Sequence, residues 1–288
     1  MRHFLIPVLA VLWLATRADP TAAAEIDGSP RNVPSLKLLW TASGFHQPEG
    51  AALAPDGGYF ISSIGPGPDT ERDGNGYISK LNPDGTVANA RFAVGLDAPL
   101  GLVVHQGVLY AADRDGVAMF DATTGAARGE VPIEGVDFLN DMTVWKGDVL
   151  VSDSGTATIH RVRPEGASVL ASSRDWEGIN GILGDGERLL ITTMAEGKLI
   201  ELRAVGSQTL IATGMKDADG IGLVPGGGYL VSSWPGEIHH VGADGTVTLL
   251  ADTRADSIEQ NDLSVFGDVV IVPNWKPGSV TAWKLVAP

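Results

Sequence analysis

The chain has 288 residues, 44% of them hydrophobic, which is ample for a sizeable core. Its 35 acidic residues outnumber 20 basic ones, and a formal net charge of -15 with no offsetting basic patch excludes nucleic acid and anionic lipid surfaces as partners. The absence of cysteine excludes disulfides and a lipid anchor on cysteine.

From the N-terminus, Arg2, the apolar stretch 4–15 and the small residues Thr21, Ala22, Ala23 and Ala24 read as a secretory signal peptide over residues 1–24. About twelve apolar residues are too few to span a bilayer. The mature chain is expected in a bacterial periplasm or secreted, clear of the membrane, and as a monomer. Residues 25–35 read as an extension. A first strand follows over 36–41, resembling outer strands found later in the chain.

From residue 36 to 288 one pattern repeats. A short polar-plus-Gly signal opens a pair of β-rich runs joined by a Gly-containing turn, as in AALAPDGGYFISS (51–63) and IGLVPGGGYLVSSW (221–234). The openings are Glu49-Gly50, Leu100-Gly101, Asn140-Asp141, Asn180-Gly181, Asp219-Gly220 and Asn261-Asp262, in steps of 51, 40, 40, 39 and 42 residues. All-strand repeats of that length predict an all-β fold, a single six-bladed β-propeller. The long first step places an insertion at 64–76, after the second strand of blade one and on the face where the openings lie. It is either a functional rim or an ordinary loop. Blade six runs out of chain after three strands, so the strand over 36–41 is expected to pair near 279–285 and latch the ring.

In a propeller the first strand of each blade lines the central channel. Glu49, Leu100, Asn140, Asn180, Asp219 and Asn261 therefore form a ring at the axis, and five of the six carry side-chain oxygens. Asn-Gly and Asp-Gly are also common turn pairs. The chain uses Asp56-Gly57, Asp84-Gly85, Asp185-Gly186 and Asp244-Gly245 that way, but between strands, whereas the ring residues all open the first strand. Oxygens without Cys or His suit a hard cation, Ca²⁺ before other divalent ions, with Glu49, Asn140, Asn180 and Asp219 as the donor set. Four side chains leave coordination positions open, as a catalytic site requires.

The motifs QPEGAAL, LNDMTV, GINGIL, DADGIGL and QNDLSV, in this order and spacing, resemble the senescence marker protein (regucalcin)/gluconolactonase family over essentially the whole mature chain. More distantly they are similar to the paraoxonases and diisopropylfluorophosphatase. The resemblance implies a calcium-dependent hydrolase of lactones or related esters. It implies Glu49, Asn180 and Asp219 as metal ligands, Asn140 as ligand or substrate contact, and Asn261 at the metal or the substrate. Two departures stand out. Leu100 occupies the place of the paraoxonase histidine, and Gly50 that of an aspartate at a second, buried Ca²⁺, so Asp141 alone is not expected to hold a second ion. With no histidine there, the general base falls to a ring carboxylate, Asp219, with Glu49 mainly holding the metal and His46 in reserve.

Residues just after the second strands should line the mouth, namely Ile64, Arg114, Ser154, Met194, Trp234, Asn274 and Trp275. Of these Arg114, Met194, Trp234 and Trp275 read as substrate contacts with Asn140 and Asn261, ordinary rim packing being the alternative for each. Asp113 and Asp153 are expected to bond neighbouring backbone. His160, His239 and His240 are read as surface residues on third strands, and Ser62, Ser63, Thr192, Thr193, Ser232 and Ser233 as small packing residues. No serine-hydrolase, zincin or P-loop motif is present. Two rival functions remain: a non-catalytic propeller binding a partner on its metal face, and a quinone-dependent sugar oxidoreductase, which would need basic residues for the cofactor's carboxylates.

Overall fold

The apolar runs form antiparallel strands that alternate between the two faces of a sheet, and in a computed structural model of the chain these sheets stand in a ring as six blades. The structure describes residues 33–67, 72–204 and 207–287. It divides into Met1–Arg31 and Asn32–Pro288, and only the second unit concerns us. The expected signal peptide, and all but the end of the expected extension, lie outside the described residues. No helix among the described residues is long and apolar enough to cross a membrane.

Blades one to five are four-stranded sheets in sequence order. Their inner strands are Pro48–Leu53, Leu102–His105, Leu139–Trp145, Ile179–Asp185 and Ala218–Leu223. In blade six the inner position is split between Glu259–Gln260 and Ser264–Phe266, followed by Val269–Lys276 and Ser279–Val286. The blade is completed from the other end of the chain. Ser35–Ser43 runs antiparallel to the last strand from Ser35↔Val286 to Ser43↔Ser279, with a bulge between Leu38 and Trp40. The latch is therefore as the sequence predicts.

Trp40 also reaches blade one, where its indole N–H donates to the carbonyl of Pro83 at 3.1 Å. Its ring lies where a Cβ on Gly85 would stand, and Gly85 has φ +83, so that turn accepts only glycine without strain. A core cluster fills each blade interface. The one between blades six and one joins Ala42, Ile271, Val280 and Ala282 to Ala51, Tyr59, Ile61 and Leu81. Each interface therefore has an apolar core.

The third strands differ from expectation. His160, His239 and His240 lie on them but are only 6%, 8% and 6% exposed, not at the surface. A third strand in a propeller is covered by its neighbours on both faces, and alternation turns these side chains into an interface. Burial pushes the imidazoles of His239 and His240 down in pKa, so both favour the neutral form.

Candidate functional site

Four of the six openings that define the repeat are β-bulges. In blade one Pro48 pairs with Ser63 and Ala51 with Ile61, so Glu49 and Gly50 together face the single residue Ser62. The same two-against-one arrangement sets Asn140-Asp141 against Ser152, Asn180-Gly181 against Thr192, and Asp219-Gly220 against Ser232. A bulge bends the strand and re-aims a side chain. That is how the side chains of Glu49, Asn140, Asn180 and Asp219 come to line one cavity.

The residue opposite each bulge holds it. Ser62 accepts from the N–H of Gly50 at 2.8 Å and donates to the carbonyl of Leu100, in the next blade, at 2.6 Å. Ser152 accepts from Asp141 N–H at 3.0 Å and donates to the carbonyl of Asn180 at 2.6 Å. Thr192 donates to the carbonyl of Asp219, and Ser232 accepts from Gly220 N–H at 2.9 Å. Each hydroxyl so fixes its own bulge, and the first three also fix the ring residue of the following blade. The second bulge residue is glycine in blades one, four and five because the next blade's ring segment lies against it. A Cβ on Gly50, Gly181 or Gly220 would overlap the carbonyl of Leu100, the carbonyl of Asp219 or the carboxylate of Asp262.

The ring lacks partners for its oxygens. Glu49, Asn140, Asn180 and Asp219 are 4%, 5%, 4% and 2% exposed, and Oε2 of Glu49, Oδ1 of Asn140, Oδ1 of Asn180 and Oδ1 of Asp219 are buried without a hydrogen bond. Their amide nitrogens are engaged elsewhere, Asn140 Nδ2 with Ser154 Oγ at 3.3 Å and Asn180 Nδ2 with the Met194 sulfur at 3.3 Å. The amides are thereby turned with oxygen toward the cavity. Among the described residues no group of three or more His, Cys, Asp or Glu side chains is placed to hold a metal, so any ion here rests on two carboxylates and neutral amides.

The carboxylates are strained electrostatically. Burial, then the charges of Asp219 and Asp141, push Glu49 well above its ordinary range. Burial and Asp141 push Asp219 up to about 7. Asp141 also rises to about 7, from burial partly offset by hydrogen bonds from Ile182 N–H at 2.9 Å and Met142 N–H at 2.7 Å. Asp262 rises well above its usual value through burial and then Asp141, Asp219 and Glu49. Four acids thus crowd one channel. Asp141 and Asp262 face a separate cavity of about 250 Å³ at the far ends of the inner strands. Sequence reasoning weighed Asp141 by itself; Asp262, the second residue of the blade-six opening, is the partner it missed.

Above the ring is an open cup of about 310 Å³. Of the expected substrate contacts, Asn140, Met194, Trp234, Asn261 and Trp275 line it, and so do Ile64 and Leu100. Trp234 and Trp275 meet edge to face, with ring centroids 5.8 Å apart. Phe138 lines the cup too and was not anticipated. It lies two residues before Asn140, outside the strand, and that offset was its only signal in the sequence.

Arg114 is placed elsewhere. It lines a neighbouring small cavity with Asp113, Ala98 and Leu139, sharing only Leu100 and Phe138 with the cup. Asn274 is likewise absent from the lining, its amide donating to Ser279 and Thr281 hydroxyls at 2.9 Å. His46 is exposed, pairs with the Tyr77 hydroxyl at 3.2 Å and is not among the residues lining the cup. Asp113 and Asp153 bond backbone as expected, Asp113 receiving Asp97 and Ala98 N–H, and Asp153 receiving Asp137 and Phe138 N–H. The described part of the insertion is tied down: Arg72 pairs with Asp115 of blade two, and Gly74 N–H donates to Asp97 at 3.0 Å.

No family model and no characterised protein sequence matches the chain. Solved structures do. A gluconolactonase from Xanthomonas campestris is 16% identical, with 90% of this chain and 99% of that one covered and a TM-score of 0.64. Catalytically inactive virginiamycin B lyase from Staphylococcus aureus with quinupristin is 12% identical, covering 89% and 100%, with a TM-score of 0.60. The PQQ-bound aldose sugar dehydrogenase from Streptomyces coelicolor is 13% identical, covering 89% and 100%, with a TM-score of 0.65. These are enzymes of three different chemistries on one scaffold, so the likeness establishes the six-bladed propeller and leaves the chemistry to the site.

Proposed function

We propose that this protein is a calcium-dependent hydrolase of a lactone or related ester, acting in the periplasm or outside the cell. The observation that carries the reading is the set of four buried, unpartnered oxygens on Glu49, Asn140, Asn180 and Asp219 around one cavity. Buried polar atoms rarely go unpaired, and two carboxylates pushed upward in pKa with no Lys, Arg or His among the described residues lining the cup call for a cation. All donors are hard oxygens, and their mixed charge suits Ca²⁺. When bound, the ion would supply Lewis-acid polarisation of a carbonyl oxygen.

The chain's own residues divide the remaining work. Glu49, Asn140 and Asn180 hold the ion, and Asp219 shares that task. Asp219 also accepts the proton of the attacking water, as the ring carboxylate left for that role with Glu49 given to the ion. The water oxygen bonds to the carbonyl carbon, the ring C–O bond breaks, and the departing alkoxide takes the proton back, leaving a hydroxy acid. Thr192 and Ser232 fix the bulge on which Asp219 sits. Trp234, Met194 and Asn261 flank the reacting group. Among the described residues the cup has no basic lining residue, which speaks against a quinone cofactor bearing carboxylates. The test is a panel of lactones and esters assayed with Ca²⁺, with chelator, and with other divalent ions restored singly. Turnover that chelator does not abolish would sink the metal role, and no turnover of any substrate would favour a non-catalytic binder.

A further inference from the structure

The channel has a second mouth. Past the oxygen ring, at the far ends of the inner strands, lies the cavity of about 250 Å³ that Asp141 and Asp262 line. Blades three and six, which carry these acids, stand opposite each other in the ring of six, yet the two carboxylates lean to one side. Asp141 Oδ2 accepts from Ile182 N–H of blade four at 2.9 Å, and Asp262 Oδ1 lies where a Cβ on Gly220 of blade five would stand. Blades four and five are neighbours, so the carboxyl groups converge. Asp262 is only 5% exposed; its Oδ1 accepts from Leu263 N–H at 2.7 Å, and among the described residues nothing donates to its Oδ2. No Lys, Arg or His is among the described residues lining this cavity.

Around the acids the lining is apolar, with Leu102, Val104, Leu183 and Phe266 along the wall and Leu53 and Leu223, 45% and 37% exposed, at the opening. The two lining hydroxyls are engaged, Thr143 accepting from Gly184 N–H and Ser264 donating to the carbonyl of Ala51, each at 3.0 Å. A divalent metal ion is poorly served here, because both oxygens of Asp141 already accept backbone N–H and no group of three or more Asp, Glu, His or Cys assembles among the described residues. An ammonium asks for less. Its three N–H groups find acceptors in Asp262 Oδ2 and in the remaining lone pairs of the Asp141 carboxylate, and charge assistance strengthens each bond. A carbon body attached to it covers the apolar wall. We propose that this lower cavity is a second ligand site, taking a primary organic ammonium whose alkyl or aryl body lies against Leu102, Val104, Leu183 and Phe266. The volume admits one ring or a short chain. A net charge of -15 draws such cations to the molecule.

The test is calorimetric titration of the whole protein, with Ca²⁺ present in excess, by hexylammonium, butylammonium and hexanol. Hexylammonium should bind at a single site. Butylammonium, two methylenes shorter, should bind about fifteenfold more weakly, and hexanol, of equal length without the charge, at least about tenfold more weakly. Asp262→Asn should lower hexylammonium affinity by about tenfold or more and leave hexanol within about threefold. Leu223→Ser, at the exposed opening, should narrow the difference between the two ammonium ions. The comparison of hexylammonium with hexanol on the unaltered protein decides the matter whether or not either variant folds. Hexanol binding as tightly as hexylammonium, or full affinity in Asp262→Asn, overturns the site. Competitive displacement of hexylammonium by a second equivalent of Ca²⁺ overturns it too, since the acids would then form a metal site. Only binding is read, so the outcome does not depend on whether the chain hydrolyses lactones.

Discussion

Asp219 has two tasks that one substitution can separate. The change Asp219→Asn keeps an oxygen for the ion but removes the proton acceptor. Turnover should fall by about a hundredfold or more, the scale of a lost general base, while Ca²⁺ affinity weakens much less. Steady-state rates and calcium titrations on the same variant check this, and near-normal turnover at saturating Ca²⁺ would move the base to Glu49. Thr192 offers a complementary probe, because its hydroxyl donates to the Asp219 carbonyl without facing the cup. Thr192→Val should cost about 1–3 kcal/mol by leaving that buried carbonyl unpaired, read by denaturant unfolding, and should loosen Ca²⁺ binding. The ring residues were legible in the sequence because their phase recurs in every blade. Their bulges were not, since a bulge is a property of pairing and Asn180-Gly181 reads equally as a turn. The hydroxyls at Ser62 and Thr192 were visible as small residues, but their role depends on a carbonyl in the next blade that no local pattern reveals. Arg114 failed as a cup residue for a related reason: adjacency to the end of a second strand fixes the face of the ring, not the direction of a long side chain.

At the scale of elements, the inner strands pass the site from blade to blade through contacts too close for a side chain. Gly181→Ala would place a methyl against the carbonyl of Asp219. Because the obstacle is backbone, relief requires shifting the blade-five bulge, and overpacking of this kind costs about 1–3 kcal/mol. The expected result is a lower melting temperature together with weakened Ca²⁺ binding, and a variant with unchanged calcium affinity would show that the bulge moves independently of the ring. The latch was legible because blade six lacked a fourth strand and 36–41 looked like one. The buried histidines were misread because polar composition on a strand says nothing about which neighbour covers it. In this ring His160 and His239 stand beside Asp153 and Glu237, at 3.7 and 3.4 Å.

At the scale of the whole molecule, four acids in one channel make stability depend on pH in an unusual direction. Asp141 and Asp219 hold protons up to about pH 7 in the folded chain, and Glu49 and Asp262 are raised as well. In the unfolded chain such groups release their protons near pH 4. The folded state therefore binds more protons between about pH 4 and 7, and its stability falls as pH rises through that window. The loss per pH unit grows with the number of protons the folded channel holds in excess. Chelated protein should melt at lower temperature at pH 8 than at pH 5, and added Ca²⁺ should reverse the difference by neutralising the carboxylates. Melts that are flat across this range without calcium would show that the channel compensates its charge in another way.

The pairing of Ser35 with Val286 and of Ser43 with Ser279 joins nearly the first described residue to nearly the last. Sequential hairpins within blades one to five can form as the chain grows, but this closure spans the longest loop the molecule contains, and such contacts form slowly. Until the final strand arrives, Ser35–Ser43 has no edge to join and blade one keeps an open flank. The clasp is assembled from the earliest and the latest parts of the chain, so a protein cut short near its C-terminus forfeits its beginning as well as its end.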